Sequence, residues 1–256
     1  MGKQSRRDFM RGSSTAGLAL MASGYGAGAA AGPNPGQASA PAASQAAVAG
    51  VSGQGNMKFK VLYTSSHLPE AARKVLIKAH GGFAVDRRPG KGEAYFALPG
   101  VGILQISSNL KEVRILDTAE SMKKVNLHDT TLWTDSQDGA AYLAFPSNDA
   151  GKIFTTTLEG TLVSTLDAPG PDDEFEQPAV HNYFLGGGNF APTGLAYLDG
   201  FYYVTTGYCN LDFSLRASVE PGNASKVVWN DLAFGGRGDG AHHFQTAHAI
   251  AVYPGA

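Results

Sequence analysis

Cysteine is almost absent: Cys209 is the only one in 256 residues, so no intrachain disulfide framework can staple the fold. Charge is scarce as well. Charged residues are 16% of the chain, and the 20 Lys and Arg nearly cancel the 22 Asp and Glu. That balance lacks the basic footprint of a nucleic-acid binder. No apolar run approaches the ~20 residues of a membrane-spanning helix; the stretch from Thr15 to Gly24 is short and glycine-rich. Glycine, by contrast, is abundant, with 33 residues in a chain that is 43% hydrophobic. Such a composition suits a soluble β-rich domain with many tight turns.

The first residues, Ser5-Arg6-Arg7-Asp8-Phe9-Met10-Arg11, precede the mild apolar run and an Ala-rich zone. A twin-arginine pair in that setting reads as an export address to the periplasm or beyond, with a chance basic N-terminus as the alternative. No cysteine follows the apolar run, which argues against a lipid anchor. A protein exported this way folds first, so a metal can be loaded in the cytoplasm. Residues from about 27 to 55 are nearly all Ala, Gly, Ser, Pro and Gln, too little apolar bulk to offset their ordering entropy. The expected organisation is a signal peptide over 1–31, a disordered linker over 32–56 and a folded domain over 57–256.

Within that domain two segments repeat. Gly92-Glu93-Ala94-Tyr95-Phe96-Ala97-Leu98, Gly102 to Ile106 and Val113 to Asp117 recur as Gly139 to Phe145, Gly151 to Phe154 and Val163 to Asp167. A third copy starts at Gly200-Phe201-Tyr202-Tyr203-Val204. Short β-branched runs separated by Gly, Asp or Asn turns predict antiparallel strands. A period of roughly 40–50 residues with four strands per unit predicts an all-β propeller, an ordinary β-sandwich being the alternative. One helix is expected, over Pro69 to Ala79, where Ala72, Val75, Leu76 and Ala79 have helical spacing.

The unit joints add a pattern. Gly186-Gly187-Gly188-Asn189-Phe190-Ala191-Pro192-Thr193-Gly194-Leu195-Ala196, echoed by Gly235-Gly236 and then Phe244 to Val252, resembles the NHL repeat, with its Gly-rich turn, Phe and Pro-x-Gly-Ile-Ala-Val. The resemblance implies blades whose innermost strand follows each joint. The residues up to Ala256 provide about three blades and the start of a fourth, where six are expected. This reads as a C-terminal truncation, or as an open propeller completed by another chain.

Ligands of propellers gather at the mouth of the channel, where innermost strands begin. Three such places are readable: Leu127-His128-Asp129, Pro192-Thr193-Gly194 and Ala247-His248-Ala249. His128 and His248 would converge on the axis, as ligands of Zn²⁺ or a similar ion must, or would bind only water there. His67, His80, His181, His242 and His243 read as surface residues. The acidic run Asp172-Asp173-Glu174-Phe175-Glu176 reads as a solvated loop, with a structural Ca²⁺ site as the lesser alternative.

Phe190 to Ala196 followed by Thr206-Gly207-Tyr208-Cys209-Asn210 resembles the catalytic propeller of peptidylglycine α-amidating lyase. Residues from roughly 125 to 252 carry the likeness, and Gly-Tyr-Cys-Asn is its most specific part. The resemblance implies that His128 and His248 bind zinc, with a third histidine beyond Ala256, and that Tyr208 is the catalytic base. It further implies cleavage of a peptidyl-α-hydroxyglycine to an amide and glyoxylate. The chain departs from the family in several places. No arginine stands near Leu98-Pro99-Gly100-Val101, leaving only Arg87 and Arg88 nearby; Ala191 replaces the partner of Cys209; and Asp129 replaces a small residue after His128. The expectations are therefore an exported zinc-dependent lyase acting on a small-molecule or peptide substrate, or a non-catalytic propeller binding a protein or ligand. Neither involves nucleic acid or a membrane span.

Overall fold

Short apolar runs that are buried on both faces pack as sheets stacked against sheets, and the fold follows that rule. The computed structural model describes residues 51–61 and 63–253; the expected signal peptide and most of the linker lie outside them. A hairpin, β1 (Val51–Gln54) and β2 (Met57–Lys60), comes first, and its first strand takes in residues expected to be linker. Three four-stranded antiparallel sheets follow, each strand pairing with the next in sequence. The first holds β3 (Ala84–Val85), β4 (Ala94–Leu98), β5 (Gly102–Ile106) and β6 (Val113–Ile115). The second holds β7 (Thr131–Thr134), β8 (Ala141–Ser147), β9 (Lys152–Thr157) and β10 (Leu162–Asp167). The third holds β11 (Gly194–Leu198), β12 (Phe201–Thr205), β13 (Phe213–Glu220) and β14 (Asn223–Gly235).

The protein is all-β, and these sheets have the arrangement of propeller blades. The repeats fall where expected: Tyr95, Tyr142 and Tyr202 all lie on the second strand of a sheet. The sheets do not close into a ring among the described residues. The residues after the second glycine joint, up to Val252, carry no assigned strand, because no neighbour pairs with them as β12 pairs with β11.

Packing between blades comes from large apolar side chains. Tyr95, Leu127, Leu143, Phe145 and Phe154 fill the space between the first two sheets. Trp133, Leu195, Tyr202 and Leu215 belong to the cluster between the second and third. Trp133 stacks on Tyr142 at 4.8 Å and on Tyr197 at 4.4 Å between ring centres. Tyr202, fully buried, hydrogen-bonds the Thr155 hydroxyl at 3.0 Å, a polar tie between adjacent blades.

The expected helix appears, shortened to Glu70–Val75 with a 3-10 turn over Leu76–Lys78. Ala72 is its buried residue, packed with Leu68 and Leu104 on the first sheet. Two further helices, Glu120–Lys123 and Pro178–Leu185, were not expected. The second follows the acidic run, whose Phe175 is buried against Phe184, so that run is anchored rather than wholly solvated. No helix among the described residues is long and apolar enough to cross a membrane.

Candidate metal centre

Each innermost strand starts from a segment pressed against its neighbour, and glycines permit the approach. A Cβ at Gly81 would sit 2.7 Å from the Leu127 carbonyl oxygen. One at Gly82 would overlap the Asp129 carboxylate, and one at Gly207 the Ala247 carbonyl. These close approaches bring His80, His128 and His248 together from three different strand entries. Each offers one ring nitrogen, and the three nitrogens lie within 4.8 Å of one another. Around Zn²⁺ with Zn–N bonds of about 2.05 Å, tetrahedral ligand nitrogens stand roughly 3.3 Å apart, a contraction that side-chain rotation can supply. Ring centres of His80 and His128 are 4.6 Å apart, and those of His128 and His248 are 5.0 Å apart.

His128 is the buried member of the trio. Its Nδ1 lies 2.7 Å from the Thr193 carbonyl oxygen. A carbonyl can only accept, so Nδ1 carries the proton and Nε2 presents a lone pair. That Nε2 is buried without a hydrogen-bond partner, a costly state for a polar atom and the one a metal ion relieves. Burial holds the His128 pKa below the usual imidazole value, and the nearby His80 and His248 lower it further against the opposing Thr193 hydrogen bond. The neutral ring that a metal requires is thereby favoured.

Tyr208 reaches the same point from the connection between β12 and β13. Its hydroxyl is 2.8 Å from His248 Nε2 and 3.3 Å from His80 Nε2. Its ring meets His128 edge-on at 5.1 Å and His248 at 4.6 Å. The side chain is 42% exposed, so it faces the solvent end of the cluster. Beneath the histidines Asp129 accepts the backbone N–H groups of Thr130 and Leu195, and burial raises its carboxyl above the usual carboxylate range. A channel of about 640 Å³ extends along the inner strands, lined by Val85, Arg87, Thr130, Trp133, Ala196 and Ile250 among others.

The structure thus gathers His128, His248 and Tyr208, which the sequence singles out. His80 is exposed, as expected of a surface residue, yet its ring joins them, so the trio forms within the described residues. A signal for it exists: His80-Gly81-Gly82-Phe83-Ala84-Val85 has the pattern of Ala247-His248-Ala249-Ile250-Ala251-Val252, a histidine followed by an apolar inner segment. Arg88 is held by Asp86 through two charge-assisted bonds of 2.9 and 2.7 Å, and both Arg87 and Arg88 line the channel. Cys209 is free and buried, its thiol donating to the Thr206 carbonyl at 3.2 Å. Asn210 accepts from Arg237 Nη1 at 3.0 Å. Among the described residues the acidic run 172–176 forms no ligand group of the kind the histidines form, so geometry lends calcium no support. Neither a protein-family model nor a curated protein matches the chain.

Proposed function

We propose that this chain is an exported, zinc-dependent propeller enzyme of the NHL type, cleaving a carbon–nitrogen bond next to a hydroxyl in the manner of the peptidylamidoglycolate lyases it resembles. The observation that carries the reading is the convergence of three imidazoles with the Tyr208 hydroxyl. A closed trio of nitrogen donors with one side left open to solvent is the donor set of a catalytic zinc rather than of a fully enclosed structural one. Bound Zn²⁺ supplies Lewis acidity toward a substrate hydroxyl or carboxylate oxygen.

The chain's own groups do the rest. Tyr208, exposed and beside His248, takes the proton of the substrate α-hydroxyl. The oxygen's electron pair forms the carbonyl of glyoxylate, the C–N bond breaks, and its electrons and a proton go to the departing amide nitrogen. The donor to Thr193 keeps His128 in the tautomer that coordinates. Asp129, one residue from His128, accepts the Thr130 and Leu195 backbone N–H groups and so braces that strand entry against its neighbour. The twin-arginine address supports a periplasmic or secreted location.

The test is metal content of the purified full chain, followed by glyoxylate release from benzoyl-α-hydroxyglycine. One zinc per chain with glyoxylate formation supports the enzyme. A protein that takes up no metal and forms no glyoxylate is instead a non-catalytic binding propeller.

A further inference from the structure

His248 is the one member of the trio whose segment has no sheet to hold it. Residues 245–253 belong to no strand, and the nearest ladder contact is a lone bridge between Arg237 and Phe244. Yet the imidazole is set 2.8 Å from the Tyr208 hydroxyl, so something else fixes the backbone. The peptide groups of Ala247, the preceding residue, are both taken. Its carbonyl accepts the Thr193 hydroxyl at 2.6 Å, and its N–H donates to Asp212 Oδ1 at 3.1 Å.

Asp212 is an unusual residue to find there. It is 0% exposed, and its φ of +52° lies in the left-handed region, which Asp and Asn tolerate better than other non-glycine residues. Its Oδ2 has Arg237 Nε at 3.3 Å as a charge partner but no aligned hydrogen bond. Burying a carboxylate is costly unless it is paired, and a charged acceptor binds a backbone N–H more strongly than a neutral one. The same connection that carries Tyr208 therefore also reaches across to the His248 segment. Arg237, bound to both Asn210 and Asp212, holds the second half of that connection.

We infer that Asp212 is a positioning residue: its buried carboxylate clamps the Ala247 N–H and so sets the His248 imidazole against Tyr208 and within reach of His80 and His128. The clamp is a property of the metal-free chain; its effect on metal affinity rests on the metal-centre reading above.

Two measurements on the full chain separate these. In the wild-type protein without metal, residue-resolved amide exchange should show the Ala247 N–H exchanging at least ~10-fold more slowly than those of Gln245 and Thr246, since hydrogen-bonded amides open before they exchange. Equal rates overturn the clamp, whether or not any variant folds. Zn²⁺ affinity is then read by chelator competition. Asp212→Ala should abolish the Ala247 protection and weaken Zn²⁺ by ~10–100-fold, the usual loss when a supporting partner of a ligand is removed. Asp212→Asn, which keeps an acceptor and suits the left-handed backbone, should restore both to within ~3-fold. Wild-type affinity in a folded Asp212→Ala protein refutes the positioning role and leaves the metal centre standing. A wild-type protein that binds no Zn²⁺ refutes the metal reading, and amide exchange still decides the clamp.

Discussion

A single imidazole illustrates how tightly this site is set. His128 spends one nitrogen on the Thr193 carbonyl and leaves the other buried without a partner. Replacing His128 by Ala should lower Zn²⁺ affinity by at least ~10²-fold, because two ligands rarely hold the ion that three do; chelator competition measures this. His80→Ala should do the same, and that result distinguishes a three-histidine site from a pair. Tyr208→Phe should keep Zn²⁺ while lowering glyoxylate release by ~10²–10⁴-fold, the range of a lost general base. Just after β3, Asp86 is held by Arg88 below the usual carboxylate value of 3.8. Its folded pKa lies under its unfolded one, so the pair's contribution is fully present above about pH 4 and is lost as pH falls through the folded value. Asp86→Asn should lower stability at pH 7 by about 2 kcal/mol and flatten that acid-side slope in urea denaturation. His128, His248 and Tyr208 were legible in the sequence because each sits in a recognisable local pattern. Asp212 and the ligand role of His80 were not, since nothing local says which distant segment a side chain will meet.

Strands and helices differ in how much of them local chemistry reveals. The blade strands were readable from β-branched runs punctuated by turns, and the repeats set their order. Helix Pro178–Leu185 was missed, although Pro at its start and the buried pair Val180 and Phe184, four apart, were usable signals. Contacts between elements are another matter. The Tyr202–Thr155 hydroxyl pair joins neighbouring blades inside the core. Tyr202→Phe removes that bond at constant ring packing and should lower stability by about 1 kcal/mol, read as a shifted urea midpoint at unchanged slope. The glycine at 207 serves a similar junction. Gly207→Ala puts a methyl into the Ala247 carbonyl, backbone against backbone, so the His248 segment must move and Zn²⁺ binding should weaken with it.

Across the whole molecule, three blades line a channel of about 640 Å³ along their inner strands, and the histidines come together where the segments leading into those strands meet. The proposed export adds a test at this scale: changing both Arg6 and Arg7 to Lys should leave the full chain in the cytoplasm, and unchanged export would remove the twin-arginine reading. By itself the sequence determined the all-β class, the four-stranded repeat and two of the three imidazoles. It could do so because hydrophobic period, turn residues and repeat spacing are written along the chain, where each depends only on near neighbours. Tertiary structure alone decided that His80 completes the trio, that Asn210 and Asp212 meet Arg237, and that Thr193 orients His128. Those outcomes depend on how far each blade is rotated about the channel and how closely glycine backbones approach, and such distances are set by packing between segments far apart in sequence.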